Sequence, residues 1–491
     1  MKKSLKPLVI LDFGTPRSRQ LVRLLREKQV YSLIVPASVS TDALRNLDPA
    51  GLILCDADQY RSEQPPLQPG IITLGRPVLA LGGAVRHFIQ LQADTAKEAT
   101  PDYGPSQKVN EKLFGPTQDH CDKDTDTEAE YPLILVRQDE AFHVLIQNFE
   151  SLDDETAGTL LENFAKIYCQ APPWTMDRFL PVALEEIRRL VGSRKVLCGL
   201  SGGVDSTVVA ALIHQAIGDQ LTCVLVDTGL LRKGEADLVK ELFDKAFKIK
   251  LIAVNAEDRF LHALQGISEP EEKRKIIGAL FIDIFEEEAK KLGHMDFLAQ
   301  GTLYPDIIES LVTGSGDAVS VKSHHNVGGL PERMQIQLLE PVRDLFKDEV
   351  RALGRELKLP EILVGRHPFP GPGLGVRCIG AITRERLDTL READAIFIEE
   401  IRAAGLYDQI WQALVCLLPV KSVGIKNGKR VWEEVCTLRA VHSVDAMTAQ
   451  PVPIPDDILQ KITLRICEEI PHISRVLLDI SPKPPATIEW E

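Results

Sequence analysis

The sequence predicts an α/β protein: two doubly wound parallel-sheet domains followed by a smaller α+β domain. Three observations carry that prediction. Short apolar runs of strand length alternate with longer helical stretches up to about residue 367. The run Val196–Leu200 breaks at two glycines and restarts as an apolar helix over Val208–Ile213. Beyond residue 367 the pattern changes to a Pro- and Gly-rich segment, one long helical stretch, and then alternating segments.

The chain has 491 residues, enough for several domains of about 100–200 residues each. Hydrophobic residues make up 44% and charged residues 26%, which supports sizeable cores. A formal net charge of −14 argues against broad binding to nucleic acid or anionic membranes. Nine cysteines contain no CxxC pair, and Cys55, Cys198 and Cys223 lie in apolar runs, so buried thiols in a reducing compartment are expected. The start, MKKSLKPLVILDFG, has too short an apolar run for a signal segment. No stretch approaches the roughly 18 apolar residues of a membrane span. The expected location is cytoplasmic.

The first block, residues 1–170, opens with strand PLVILDFG, helix SRQLVRLLREKQV and strand YSLIVP, with further strands at Gly51–Leu54 and Pro77–Leu81. Between Asp119 and Glu130, six acidic residues face one Lys, which reads as a solvated loop. The second block, 171–367, follows Pro172-Pro173 with helix Met176–Val191. Strands are expected at Val196–Leu200, Leu221–Val226, Lys250–Val254 and Phe297–Gln300. The third block, 368–491, has helix Arg384–Ala404 and alternating segments at Val431–Leu438 and Ser474–Ile480.

Chemistry concentrates in Ser201-Gly202-Gly203-Val204-Asp205-Ser206. Two glycines let the backbone turn tightly and approach a ligand, and the helix that follows offers unpaired N–H groups to an anion. Asp205 would repel a phosphate unless a cation such as Mg²⁺ lay between them. An ordinary Ser-capped turn requires neither the double glycine nor both serines. The run lacks the Lys of a Walker loop and the spacing of a dinucleotide fingerprint. Asp227, just past a strand end, suits a nucleotide ribose or base, or equally a helix N-cap.

Further along, VKSHHNVGGLPE gathers Lys322, Ser323, His324 and His325 before two glycines, a segment suited to closing over phosphates. The His pair has no third ligand at zinc spacing. HPFPGPGLGVR offers Arg377 and His367 to an anion, or serves as a rigid linker. The terminal SPKPPATIEWE carries Lys483, Thr487, Ile488 and Glu489, either docked in a site or free as a tail.

SGGVDS resembles the pyrophosphate loop of the N-type ATP pyrophosphatases. Together with FLAQGTLYPDIIES, KSHHNVGGLPE, LFKDEVRALG, HPFPGPGLGVR and KPPATIEWE, the second and third blocks resemble the GMP synthetase family. That resemblance implies that ATP adenylates the O2 of xanthosine 5′-monophosphate (XMP) and that ammonia then displaces AMP, giving GMP. It assigns Ser201, Gly202, Gly203, Val204, Asp205, Ser206 and Asp227 to ATP, Asp205 also to Mg²⁺ and catalysis, and Lys322 to a catalytic lid. Arg377, Lys483, Thr487, Ile488 and Glu489 become candidates for XMP. The third block becomes a dimerisation domain that completes the substrate pocket, implying a homodimer.

In that family the first block is a class I glutamine amidotransferase with a Cys-His-Glu triad. Here the scaffold VILDFG, GLIL and GRPVLALGG matches, but Gly82 stands where the nucleophile elbow G-[IV]-C-x-G places its thiol. The oxyanion segment SGGP is replaced by Cys55-Asp56-Ala57-Asp58, and no SHGD stretch is present. Aligning FHPE with Phe142-His143-Val144-Leu145 keeps His143 and puts Leu145 in place of the orienting Glu. An inactive glutaminase is expected, with free ammonia or ammonia from a separate glutaminase subunit. Cys55 as a relocated nucleophile is the alternative to a buried strand-end thiol. Two other functions stand beside the main one: the same chemistry on another purine-like acceptor, and a nucleotide-binding paralogue without turnover. The intact Ser201–Ser206 run argues against the last.

Overall fold

The computed structural model describes residues 5–56, 67–95, 113, 134–138, 142–146, 149, 152–312, 336–443, 446 and 448–491. The chain divides into two compact units, one of residues up to 186 with a short segment from 308, and one holding the remainder. No described helix is long and apolar enough to cross a membrane.

The first unit runs β1 (Leu8–Asp12), α1 (Arg17–Glu27), β2 (Ser32–Pro36), α2 (Thr41–Leu47), β3 (Gly51–Cys55), β4 (Val78–Leu81), α3 (Ala84–Thr95), β5 (Ile134–Gln138), β6 (Phe142–Ile146) and α4 (Asp154–Asn163). Its sheet has the order β2-β1-β3-β4-β6-β5. All pairs are parallel except β5 with β6, so the far edge is antiparallel. Strands such as Leu8–Leu11 and Leu52–Leu54 are buried on both faces, which explains their unbroken apolar runs. Helix α5 (Met176–Val191) carries the chain from the first unit into the second.

The second unit begins with β7 (Val196–Leu200), α6 (Val204–Ile217), β8 (Leu221–Asp227), α7 (Glu235–Glu241), β9 (Leu251–Asn255), α8 (Glu257–Ala263) and α9 (Pro270–Leu292). It continues through β10 (Phe297–Ala299), α10 (Tyr304–Val312), β11 (Gln337–Leu339), α11 (Lys347–Glu356) and α12 (Glu361–Val364). The sheet order is β11-β10-β7-β8-β9, parallel throughout. The chain moves outward from β7 through β8 to β9, then returns to the other side of β7 with β10. The winding therefore reverses at β7, and the ends of β7 and β10 flank the crevice where open α/β sheets bind ligands.

The remainder is α13 (Arg384–Ala403), β12 (Gln412–Lys426), β13 (Lys429–His442), β14 (Gln450–Pro451), α14 (Asp456–Glu469) and β15 (Ile473–Asp479). β13 pairs antiparallel with β12 and β14 but parallel with β15, giving a mixed sheet. Thr383 caps α13 by accepting from the Arg386 N–H at 3.2 Å. One continuous apolar core joins Leu197, Val224 and Phe285 to Leu390, Phe397 and Leu417, so the second and third sequence blocks pack as one body.

Candidate active site

At the exit of β7, Gly202 takes φ +76°, a conformation that favours glycine. Gly203 occupies the N-cap of α6 and supplies no side-chain cap. The helix therefore opens with N–H groups that no cap consumes, beside the positive end of its dipole. Ser201 Oγ and Ser206 Oγ lie 3.2 Å apart, and Ser201 Oγ also accepts from the Gly203 N–H at 3.3 Å. Val204 is buried and anchors the first turn. Across the crevice, Gly301 in the turn after β10 packs against the start of α6, where a Cβ would stand 3.4 Å from Asp205 Cβ, an ordinary contact distance.

Asp205 Oδ2 lies 3.4 Å from Lys347 Nζ, while its Oδ1 is buried with no hydrogen-bond partner among the described residues. An enclosed carboxylate oxygen without a donor fits a divalent cation. Among the described residues, no group of three or more His, Cys, Asp or Glu gathers to hold a metal unaided. The fit is therefore to an ion shared with ligand phosphates, as is usual for Mg²⁺. Arg351, one helical turn beyond Lys347, is pulled below its ordinary basicity by burial, while the charge of Asp205 acts against that shift. Lys347 and Arg351 were not among the residues the sequence singled out. Their i, i+4 spacing in LFKDEVRALG puts both on one helix face, and that was the available signal.

Asp227 Oδ1 accepts from the Gly229 N–H at 3.1 Å, so this oxygen holds a turn and caps no helix. Thr302 donates to Glu340 Oε1 at 2.6 Å, and the Leu303 N–H donates to Asp306 Oδ2 at 2.9 Å where α10 begins. Lys322, with the whole VKSHHNVGGLPE segment, lies outside the described residues, as does the acidic stretch 119–130.

The C-terminal segment is docked. Arg439, fully buried, donates to the carbonyls of Ser481, Thr487 and Ile488, each within 3.0 Å. Ile488 is buried beside Val441 and Ala449. Lys483 Nζ donates to the Ala446 carbonyl at 2.8 Å. Arg377 is also fully buried, and its guanidinium forks onto Glu489 at 3.0 and 2.8 Å. Burial alone would pull Arg377 down, but the charges of Glu489 and Asp394 outweigh it and hold the guanidinium above its ordinary value. The fork expected for an anionic substrate is thus filled by another candidate, Glu489.

His367 is corrected as an anion partner. Its Nε2 meets the Tyr407 carbonyl at 2.9 Å, its Nδ1 accepts from the Ala413 N–H at 3.1 Å, and its ring stacks on Tyr407. Burial pushes it down to about 4, so it is neutral near pH 7.

In the first unit, Gly82 takes φ +60° at the β4–α3 turn, and its N–H donates to the Ile146 carbonyl at 2.8 Å. The expected triad positions His143 and Leu145 are corrected by strand register. His143 pairs with Val78, at the far end of β4 from Gly82, while Leu81 pairs with Ile146. Three residues of strand put His143 on the order of 10 Å from the turn. Its ring instead lies among Gln92 and Phe88, and Leu145 is wholly buried in the core. In sequence, Ile146 is followed by Gln147-Asn148-Phe149-Glu150. That repeats the F-H-P-E spacing with Asn148 in the histidine place and Glu150 in that of the Glu; positions 147, 148 and 150 lie outside the described residues. Cys55 is buried and its thiol is pushed up to about 12, which removes it as a relocated nucleophile. Asp56, just past β3, lies 3.3 Å from His87 Nε2.

The family model described as NAD synthase matches residues 180–276, spanning the phosphate turn, and the one described as GMP synthase C terminal domain matches residues 399–490. The glycine turn at the winding reversal of the parallel sheet lies within the first of those matches, and the two matches together define a carbon–nitrogen ligase. A GMP synthase [glutamine-hydrolyzing] from Brucella suis is 46% identical, covering 99% of this chain and 98% of its own. The Zymomonas mobilis protein of the same name is also 46% identical, with 99% and 97% covered. The chain belongs to the GMP synthase family. Among solved structures, an NMN synthetase from Francisella tularensis aligns over 44% of this chain and 86% of its own, at a TM-score of 0.31 and 15% identity. That likeness is too weak to carry an argument.

Proposed function

We propose that this chain converts XMP to GMP using ATP and ammonia, and that its first unit no longer hydrolyses glutamine. The observation that carries the first half is the bare phosphate turn at the winding reversal, with the orphaned Asp205 oxygen beside Lys347. Family membership supports the acceptor.

The chemistry divides into two displacements. The O2 of XMP attacks the α-phosphorus of ATP, forming an O–P bond as the bond to pyrophosphate breaks. Ammonia then attacks C2, AMP leaves with the oxygen, and the nitrogen gives up a proton. The purine carbonyl is a poor electrophile, so adenylation supplies its leaving group. The chain's own work is positioning and charge stabilisation. Ser201, Gly202, Gly203 and Ser206 would cradle the departing pyrophosphate, and Lys347 and Arg351 would offset its charge. Asp205 would hold Mg²⁺, which would neutralise phosphate oxygens when bound. Lys322 would close the site from a lid, and Asp227 would meet the nucleoside. Lys483, Thr487, Ile488 and Glu489 would line the XMP pocket, with Arg377 fixing the Glu489 carboxylate.

The loss of glutaminase rests on Gly82 in the thiol position and Asn148 in the base position. Without a thiolate no acyl-enzyme forms. We read three domains, 1–170, 171–367 and 368–491, the last pairing with a second copy through exposed Val423, Ile425 and Trp432. The deciding assay measures GMP formation from XMP and Mg²⁺-ATP, with ammonium or glutamine as nitrogen source. Turnover is expected with ammonium alone, and comparable turnover on glutamine would sink the inactive-domain reading. If pyrophosphate release requires another purine nucleotide, the acceptor assignment fails while the adenylation chemistry stands.

A further inference from the structure

Arg366 sits in the segment entering HPFPGPGLG, yet it reaches the phosphate turn. Its Nη1 donates to the Gly202 carbonyl at 2.8 Å, and its Nη2 donates to Glu235 Oε1. The two side chains are 12% and 3% exposed, so this is an enclosed ion pair. Glu235 Oε2 accepts from the Arg232 N–H at 3.0 Å, which fixes the carboxylate from its other side. The Arg366 carbonyl in turn accepts from Arg351 Nη2 at 2.7 Å, binding the arrangement to α11.

A trans peptide plane points its carbonyl and its N–H in opposite directions. Drawing the Gly202 carbonyl toward Arg366 therefore aims the Gly203 N–H away from it, toward the exposed side of the loop, where it meets Ser201 Oγ. Gly202 has little rotational preference of its own. Two side chains hold the two ends of this peptide: Ser201 Oγ, within the loop, takes its N–H, and Arg366, from outside, takes its carbonyl.

We propose that Arg366 is a positioning residue for the phosphate loop: it orients the Gly202–Gly203 peptide for an incoming phosphate without touching the substrate. The Glu235 carboxylate holds the guanidinium in place. This rests on reading the turn as the ATP phosphate site.

The test is calorimetric binding of Mg²⁺-ATP to the full chain, with thermal melting of each variant. Arg366→Met removes the peptide contact and strands a buried carboxylate, so both ATP affinity and Tm should fall, affinity by about tenfold or more. Glu235→Gln keeps an amide oxygen for the Arg366 contact, and affinity should stay within about threefold. The double variant Arg366→Met/Glu235→Gln removes the stranded charge. Its Tm should recover, but its ATP affinity should remain low; it also carries the test if the single variant does not fold. Arg366→Lys should recover part of the affinity. Recovery of ATP affinity together with Tm in the double variant would overturn the proposal, since the ion pair would then be merely structural. Unchanged affinity in Arg366→Met would overturn it too. Wild-type chain that binds no ATP would instead overturn the reading of the turn itself, and the positioning role with it.

Discussion

Asp205 is a partly enclosed carboxyl group, with one oxygen unprovided for among the described residues. Substituting Asn keeps the shape but removes the charge that a divalent cation needs. Asp205→Asn should therefore reduce kcat by at least about a hundredfold, on the scale of losing one preorganised electrostatic contact. XMP binding should be unaffected; a variant retaining full activity would remove Asp205 from the metal role. His367 yields a pH prediction. Its folded value of about 4 lies below the ordinary histidine value of 6.5. Between those limits the unfolded chain binds a proton that the folded chain refuses, so this contribution is complete above pH 6.5 and is lost as pH falls toward 4. The loss amounts to about 3 kcal/mol over that window. Urea denaturation of wild type and His367→Gln from pH 7 to 4 should show the steeper decline only in wild type. Parallel profiles would mean that the ring is not held neutral.

Elements show where the sequence was informative and where it fell short. The strand–glycine–helix unit at Val196–Ile217 was legible because buried parallel strands and a capless helix start leave a local pattern. The helix Met176–Val191 has the bounds its periodicity predicted. His143 was misplaced because an apolar strand reads the same when slid by several residues, and only its pairing with Val78 fixes the register. The Arg366–Glu235 pair bridges 131 positions, a separation that no local pattern encodes. HPFPGPGLG was open between linker and site, and packing supplies a further role. Gly373 takes φ +62°, and a Cβ there would stand 2.3 Å from the Leu230 carbonyl oxygen, a backbone atom that cannot swing aside. The Leu374 N–H donates to that same oxygen at 2.8 Å. Gly373→Ala should lower stability by well over about 1 kcal/mol, measured by chemical denaturation. A near-neutral result would show that this segment yields as a loose linker does.

For the molecule as a whole, association is the remaining question. Val423 and Trp432 are direct cross-strand neighbours on β12 and β13, and Ile425 beside them is 79% exposed. Large apolar groups grouped on one exposed sheet are typical of a surface that meets a partner. Trp432→Asp should convert dimer to monomer in light scattering, whereas a wild-type chain that is already monomeric would remove the dimer from the proposed function.

Gly82 has a consequence that runs in one direction only. The bend after β4 is made by a residue that enters the left-handed backbone freely. A cysteine returned to that position would meet a conformational penalty of about 1–2 kcal/mol. On the proposed reading it would gain no catalysis in exchange, because an amide such as that of Asn148 takes up no proton. Restoring a base at position 148 alone would equally do nothing without the thiol. Each repair taken singly is thus either a loss or idle. If the first unit is inactive as proposed, single substitutions at Gly82 or position 148 would not restore it, and only the two together could.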